Sequence, residues 1–331
     1  MGAATRRTVS MKSRCVSITG ATGFIGTHAA RAFRNRGWNV RAIVRPGRPK
    51  PVPEDVDVRE AELLDARSLA TAMNGSDVVV HAAGVVRAST RRAFETVNVG
   101  GTRTVTAAAN EVGARLVHLS SLAAIGPGTL ERPAREGDRP SPINAYGRSK
   151  LAGERVLDET ALVPWVILRP SAVYGPGDSA FLPLVRLARR GAFLLAAPET
   201  TPFSFVYVDD VAEAIVLAAE SETSRETFFL GHPHAETTET LLRGIAECLG
   251  ARYHPVRLPP LLVKVAGWAG DVAWSVGWRP PIDSSRVAEF EAPGFVCDVT
   301  RALTKLGFSP SVGLRTGLAR TVEWYRQQGW I

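Results

Sequence analysis

A short β-rich run, Cys15-Val16-Ser17-Ile18-Thr19, passes directly into Gly20-Ala21-Thr22-Gly23-Phe24-Ile25-Gly26 and then into a helical stretch ending near Arg36. Strand, glycine loop and helix in this order form the context that a dinucleotide-phosphate site needs. Gly20 suits a tight turn, Gly23 lets the backbone approach a pyrophosphate, and Gly26 lets the helix pack closely on the strand. The helix start offers free N–H groups and a positive dipole end to phosphate. A glycine turn without a ligand is the plainer alternative; three glycines at this spacing, directly after a strand, favour the ligand.

The rest of the first half repeats the alternation. Strand patterns fall at 15–19, 39–44, 56–59, 77–81, 115–119 and 164–168, with helical patterns at 24–36, 66–73, 92–110 and 145–160 between them. This rhythm predicts an α/β fold, a Rossmann-type doubly wound parallel sheet with helices on both faces and ligands beyond the carboxyl ends of the strands. After Arg169 the rhythm loosens. A strand over 203–208, a helix from Asp209 and a strand over 226–230 are expected to return to the sheet. Helices at 237–249, 260–278, 299–306 and 313–328 complete the chain. The expected organisation is a disordered tail (1–13), a nucleotide-binding domain (14–170, with 203–231 returning to it) and a smaller, mostly helical substrate lobe (171–202 and 232–331).

The 331 residues, 45% of them hydrophobic, suffice for one large domain or two intertwined ones. The net charge of +8 comes from scattered arginines, densest at Arg36, Arg41, Arg45 and Arg48, and forms no stripe, so nucleic acid is not the expected partner. Cys15, Cys248 and Cys297 lie far apart, which argues against disulfides or a metal site and for a reducing, cytoplasmic setting. His232 and His234 read as loop residues rather than a metal pair. The N-terminal run lacks the apolar segment of a signal peptide. The apolar, tryptophan-bearing stretch 259–278 admits three readings: a packed lobe helix, a lid over an apolar substrate, or a peripheral membrane contact.

Tyr146 and Lys150 stand four residues apart in a helical stretch, hence on one face. A phenol beside an ammonium group is a device for proton transfer. The cation is expected to favour phenolate and lower a pKa that is normally about 10.

With the glycine loop, these residues resemble the extended short-chain dehydrogenase/reductase family, of the NAD-dependent epimerase/dehydratase type. The resemblance runs through His81-Ala82-Ala83-Gly84, Asn98 before Gly100-Gly101, Ser120-Ser121, Arg169-Pro170, Val173-Tyr174-Gly175, Phe205 to Ala212 and Leu306 to Pro310. It implies that Ser121 hydrogen-bonds the substrate oxygen, Tyr146 transfers the proton, and Lys150 holds the nicotinamide ribose and keeps Tyr146 acidic; Ser120 is then structural. The implied cofactor site comprises Gly20, Thr22, Gly23, Phe24, Ile25, Gly26, Arg45, Glu62, Leu63, His81, Ala82, Ala83, Gly84, Asn98, Tyr146, Lys150, Pro170 and Val173. Arg45, not a carboxylate, follows the second strand, which favours NADP(H) over NAD(H). Glu62 stands where the family carries Asp against adenine, and Asp65 is expected to cap the next helix.

Departures from the family narrow the reaction. Leu122-Ala123 after Ser121 replaces the acidic pair of sugar-nucleotide dehydratases. Ala172 and Phe203 stand where epimerases tend to place Asn and Arg near the diphosphate. The resemblance therefore tilts toward the hydroxysteroid-dehydrogenase and dihydroflavonol-reductase branch, and toward a secondary alcohol or ketone of an apolar or amphipathic molecule. A nucleotide-sugar epimerase with tightly bound NAD is the alternative. The family also implies a homodimer through the helices around Asn98 and Tyr146, where Ala107, Ala108, Ala109, Ala152 and Gly153 are small.

Overall fold

The computed structural model describes residues 14–47, 52, 55–88, 90–278, 280 and 282–331; the expected tail and Arg48 lie outside them. Seven strands form one sheet: β1 (Cys15–Thr19), β2 (Asn39–Val44), β3 (Asp57–Glu60), β4 (Val78–His81), β5 (Arg115–Leu119), β6 (Trp165–Pro170) and β7 (Glu226–Leu230). Their order is β7-β6-β5-β4-β1-β2-β3, every pairing parallel. The order reverses between β1 and β4, which creates the crevice where open α/β sheets bind ligands.

Among the described residues, ten helices of eight or more residues accompany the sheet: α1 (Phe24–Asn35), α2 (Ala66–Met73), α3 (Gly101–Val112), α4 (Ala145–Thr160), α5 (Leu182–Arg189), α6 (Val208–Glu220), α7 (Thr238–Leu249), α8 (Pro260–Ser275), α9 (Ser284–Glu291) and α10 (Leu314–Gln327). Central strands are apolar on both sides because both faces are covered. Val78, Val80, Val117, Val166 and Leu168 join α1 and α6 in one core layer. Val79, Leu116, Trp165 and Ile167 point the other way, into a layer with α2, α3 and α4. β3 is an exposed edge strand carrying Asp57, Arg59 and Glu60, charges that discourage further strand pairing. Asp65 caps α2, accepting from the Arg67 and Ser68 N–H groups at 3.0 and 3.1 Å, as the sequence predicts.

The strand expected over 203–208 does not join the sheet. Phe205–Tyr207 pairs in parallel with Ala172–Tyr174, and Pro202–Phe203 pairs with Glu236–Thr237. The reason is a split allegiance of side chains. Val206 enters the sheet core, while Phe205 and Tyr207 face Tyr174 and the lobe core built on α5, α7 and α10. α6 and β7 do return, so one element of three seals the seam instead of extending the sheet. Of the five small residues read as a dimer face, Ala108 and Ala109 are fully buried in the protomer's own core, and Gly153 abuts the Asn98 carbonyl.

α4 is pinned to the sheet by a buried ion pair. The Arg169 guanidinium donates to both Glu154 oxygens, at 2.9 and 2.7 Å, and Ser120 also donates to Glu154. Both ion-pair side chains are more than nine-tenths buried. Removing one partner leaves an uncompensated charge, which costs roughly 3–5 kcal/mol. Glu154→Leu is therefore expected to lower unfolding free energy by about that amount in urea titrations, and the added change Arg169→Met to recover much of it. Equal stability of Glu154→Leu and the parent chain would contradict this account.

Candidate active site

The glycine loop is shaped by close approach. Gly20 has φ +74, and a Cβ there would meet the Ala82 and Ala83 backbone at 2.7 Å. A Cβ on Gly26 would meet the Gly20 carbonyl oxygen at 2.1 Å. The start of α1 carries no side-chain cap and no acidic residue in its first turn, so its N–H groups and dipole remain for an anion. Thr22, Phe24 and Ile25 lie in this loop and first turn, with Ala82, Ala83 and Gly84 across the crevice. Arg45 is exposed just past β2, and the Ala61 N–H donates to the Val44 carbonyl at 3.0 Å, which brings exposed Glu62 to the same end. Leu63 packs against Gly101 at the start of α3. Pro170 ends β6 and Val173 pairs with Val206. These features fit a dinucleotide, which the glycine loop and the start of α1 would hold, with Arg45 and Glu62 exposed beyond β2 and β3. A bound nicotinamide nucleotide would supply or accept a hydride.

The side chains expected to handle the proton gather at the carboxyl end of β5. Ser121 leaves β5 and caps a single turn, its hydroxyl accepting from the Ala123 N–H at 3.2 Å. Asn144 caps α4 through the Gly147 N–H at 2.8 Å, which sets Tyr146 in the first helical turn. Tyr146 is half-buried, its phenol close enough to Ser121 for that hydroxyl to lower its pKa, with Phe94 against its ring at 6.3 Å. Lys150 follows one turn later, buried, and donates to the Leu119 carbonyl at 2.6 Å. Ser120 faces the other way, toward Glu154.

The expected acidification of Tyr146 is reversed in the protein alone. Burial pushes the phenol up to about 12, against the lowering effect of the Ser121 hydroxyl. Lys150 pays the same desolvation: burial brings it down to about 8, with Glu154 pulling the other way. Lys150 is not among the charges acting on the phenol, so desolvation prevails for each group separately.

Two residues named for cofactor contact are occupied within the protein. The His81 ring shares hydrogen bonds with Thr19 at 2.8 Å and Thr102 at 3.3 Å, and burial, with Lys150 nearby, holds its pKa down to about 3. Asn98 sits in a π-helical turn, donates to the Val85 carbonyl and to Ser149, and accepts from the Val85 N–H, all between 2.8 and 3.0 Å. It thereby ties the segment after β4 to α4. Sequence reasoning missed α9. Glu289 accepts from Asn144 at 2.9 Å, and Glu289 and Arg286 are the charged side chains felt by Tyr146. It also missed His28, which bonds Asp209 at 2.5 Å and the Pro176 carbonyl at 2.9 Å. Phe203, expected in place of a phosphate-binding arginine, stacks with Phe295 at 6.5 Å. No group of residues suited to hold a metal occurs among the described residues.

Residues 16–231 match the model of the NAD dependent epimerase/dehydratase family. The chain is 33% identical to a ceramide reductase of Caulobacter vibrioides, covering 96% of each. It is 28% identical to 3 beta-hydroxysteroid dehydrogenase type 7 of Homo sapiens, over 93% of this chain and 94% of the other. Among solved structures, MoeE5 in complex with UDP-glucuronic acid and NAD superposes with a TM-score of 0.75 at 27% identity, over 95% of this chain and 99% of that one.

The lowered Lys150 pKa makes a signed prediction. The unfolded chain binds the Lys150 proton up to about pH 10.5, the folded protein only to about 8. Between those values the unfolded state carries more protons, so this group makes stability rise with pH. Lys150→Met removes the effect. Its unfolding free energy relative to the parent is expected to fall progressively from pH 8 to pH 10 in denaturant titrations. A difference flat across that window would contradict the buried placement of Lys150.

Proposed function

The chain belongs to the NAD dependent epimerase/dehydratase family, and from that premise we propose that it is an NAD(P)-dependent oxidoreductase acting on a secondary alcohol or ketone of a lipid-like, apolar or amphipathic molecule. One observation carries the reading: the Tyr146 phenol set close to the Ser121 hydroxyl, one helical turn from buried Lys150. The names of the ceramide reductase and hydroxysteroid dehydrogenase relatives support an apolar substrate. So does Phe203, a phenyl ring where a diphosphate would want a guanidinium.

Tyr146 and Ser121 together address the substrate oxygen. A phenol raised to about 12 keeps its proton at neutral pH, which suits an acid that delivers it as charge develops on a carbonyl oxygen. Lys150, at about 8, remains largely protonated at pH 7 and is held by one N–H on the Leu119 carbonyl, leaving its others for a ribose hydroxyl. Arg45, exposed and without a carboxylate in its place, favours the 2′-phosphate of NADP(H).

A nucleotide-sugar epimerase is the second reading, favoured by the likeness to MoeE5 bound to UDP-glucuronic acid and NAD. Denaturing the purified protein and identifying released nucleotide separates the two. Little bound nucleotide, or exchangeable NADP(H), supports the reductase; near-stoichiometric NAD supports the epimerase. Tyr146→Phe is expected to cut turnover by about 10²–10⁴ while nucleotide binding persists. Turnover retained in that variant would refute the assigned role. Arg45→Ala is expected to weaken NADPH binding about tenfold and NADH binding little, read by fluorescence titration; equal loss for both would remove Arg45 from the 2′-phosphate.

A further inference from the structure

One face of α8 is committed to protein. A Cβ added to Gly267 would meet Val287 of α9 at 2.6 Å, and one added to Gly270 would meet the Ile282 carbonyl oxygen at 2.0 Å. The other face carries Leu261, Val265, Trp268 and Val272, spaced by four, three and four residues on one stripe, and 71, 52, 68 and 47% exposed. Trp278, just beyond the helix, is 72% exposed. The two ionisable side chains of α8 leave the stripe apolar: Lys264 pairs with Glu291 at 3.1 Å, and Asp271 accepts from the Ser284 N–H at 3.1 Å. α8 is too short to cross a bilayer, and no helix among the described residues is long and apolar enough to do so.

Charge says what covers the stripe. Segments 186–195 and 250–264 meet in the parallel strand pair Phe193–Leu195 and Pro255–Arg257, which runs into α8. Together they hold Arg186, Arg189, Arg190, Arg252, Arg257 and Lys264 and no Asp or Glu. All six are exposed; Arg257 is taken by Glu199 at 2.9 Å, Lys264 by Glu291 at 3.1 Å, and Arg186 donates to the Trp330 carbonyl, while no carboxylate pairs with Arg189, Arg190 or Arg252 among the described residues. A tryptophan-bearing apolar stripe beside cations matches an anionic bilayer surface. A second copy docked on this face by two-fold symmetry would bring the same cations together. Placement agrees. α9, on which α8 lies, hydrogen-bonds the cap of the helix bearing Tyr146 through Glu289.

We propose that the outer face of α8, with the basic strand pair beside it, docks this protein on an anionic lipid surface, with α8 and α9 lying between the bilayer and the candidate active site. This goes beyond the reaction proposed above and is measured without turnover.

The test is sedimentation of the full chain with phosphatidylcholine vesicles containing about a third phosphatidylglycerol, against phosphatidylcholine alone. The parent is expected to pellet with the mixed vesicles and less with the neutral ones. Val265→Ser/Trp268→Ser should reduce partitioning at least about tenfold, with circular dichroism and solution mass unchanged. Arg189→Glu/Arg190→Glu, which spares the helix, should reduce binding to the anionic vesicles alone. Failure of the parent to pellet, or equal pelleting of parent and variants, overturns the proposal. So does a change of oligomeric mass in the serine variant without vesicle binding, which would assign the face to a second copy. Vesicle binding without ketone reduction would uphold docking and fault the reaction.

Discussion

The candidate site hangs on how α4 is fastened across the carboxyl ends of β5 and β6. Tyr146, Lys150 and Glu154 recur every four residues and therefore share one face, turned inward. Buried charges are tolerable only with partners, and each partner is fixed elsewhere: Lys150 on the Leu119 carbonyl, Glu154 on Arg169 and Ser120. Asn98 adds a neutral bond to Ser149 on the same helix. Sliding α4 by one turn would unpair two buried charges at once, at a cost far above the few kcal/mol by which domains are stable. The register of the phenol against Ser121 is thus set by electrostatics behind it rather than by contacts around it.

A second set of polar contacts joins the nucleotide half to the lobe. His28 of α1 reaches Asp209 and the Pro176 carbonyl. Asp210 accepts from Ser311 and from the Val312 N–H, between 2.8 and 3.2 Å. Glycine-loop helix, seam strands and C-terminal segment are therefore tied to one another by buried and half-buried polar contacts. α8 differs: its glycines lie against α9 and the turn before it, and its outward stripe is apolar.

Much of this was legible because the signals are local. Val78-Val79-Val80 must be a strand buried on both faces, and Gly20 must turn where no side chain fits. Asp65 announces a helix start by its position alone. What failed was set by distant partners. Phe205-Val206-Tyr207 reads as a sheet strand, but its two aromatic rings serve a different core from its valine. Alanines 107–109 read as a possible interface, yet only the sheet's position shows that Ala108 and Ala109 are already covered. The Tyr146 pKa was misread because four-residue spacing conveys a shared helix face but neither the desolvation of the phenol nor the charges that reach it, which are those of Glu289 and Arg286. The Glu154–Arg169 pair had a readable half: Glu154 continues the Tyr146–Lys150 spacing, a hint of an inward carboxylate awaiting a base.

The central claim is net hydride transfer at the Tyr146–Ser121 pair. The most direct measurement supplies NADPH deuterated at the transferable C4 position with a lipid ketone and follows the isotope by mass spectrometry. The account predicts one deuterium on the carbinol carbon of the product, with stoichiometric NADP⁺. Inversion of a substrate stereocentre with no isotope incorporated and no net nucleotide oxidation would contradict it.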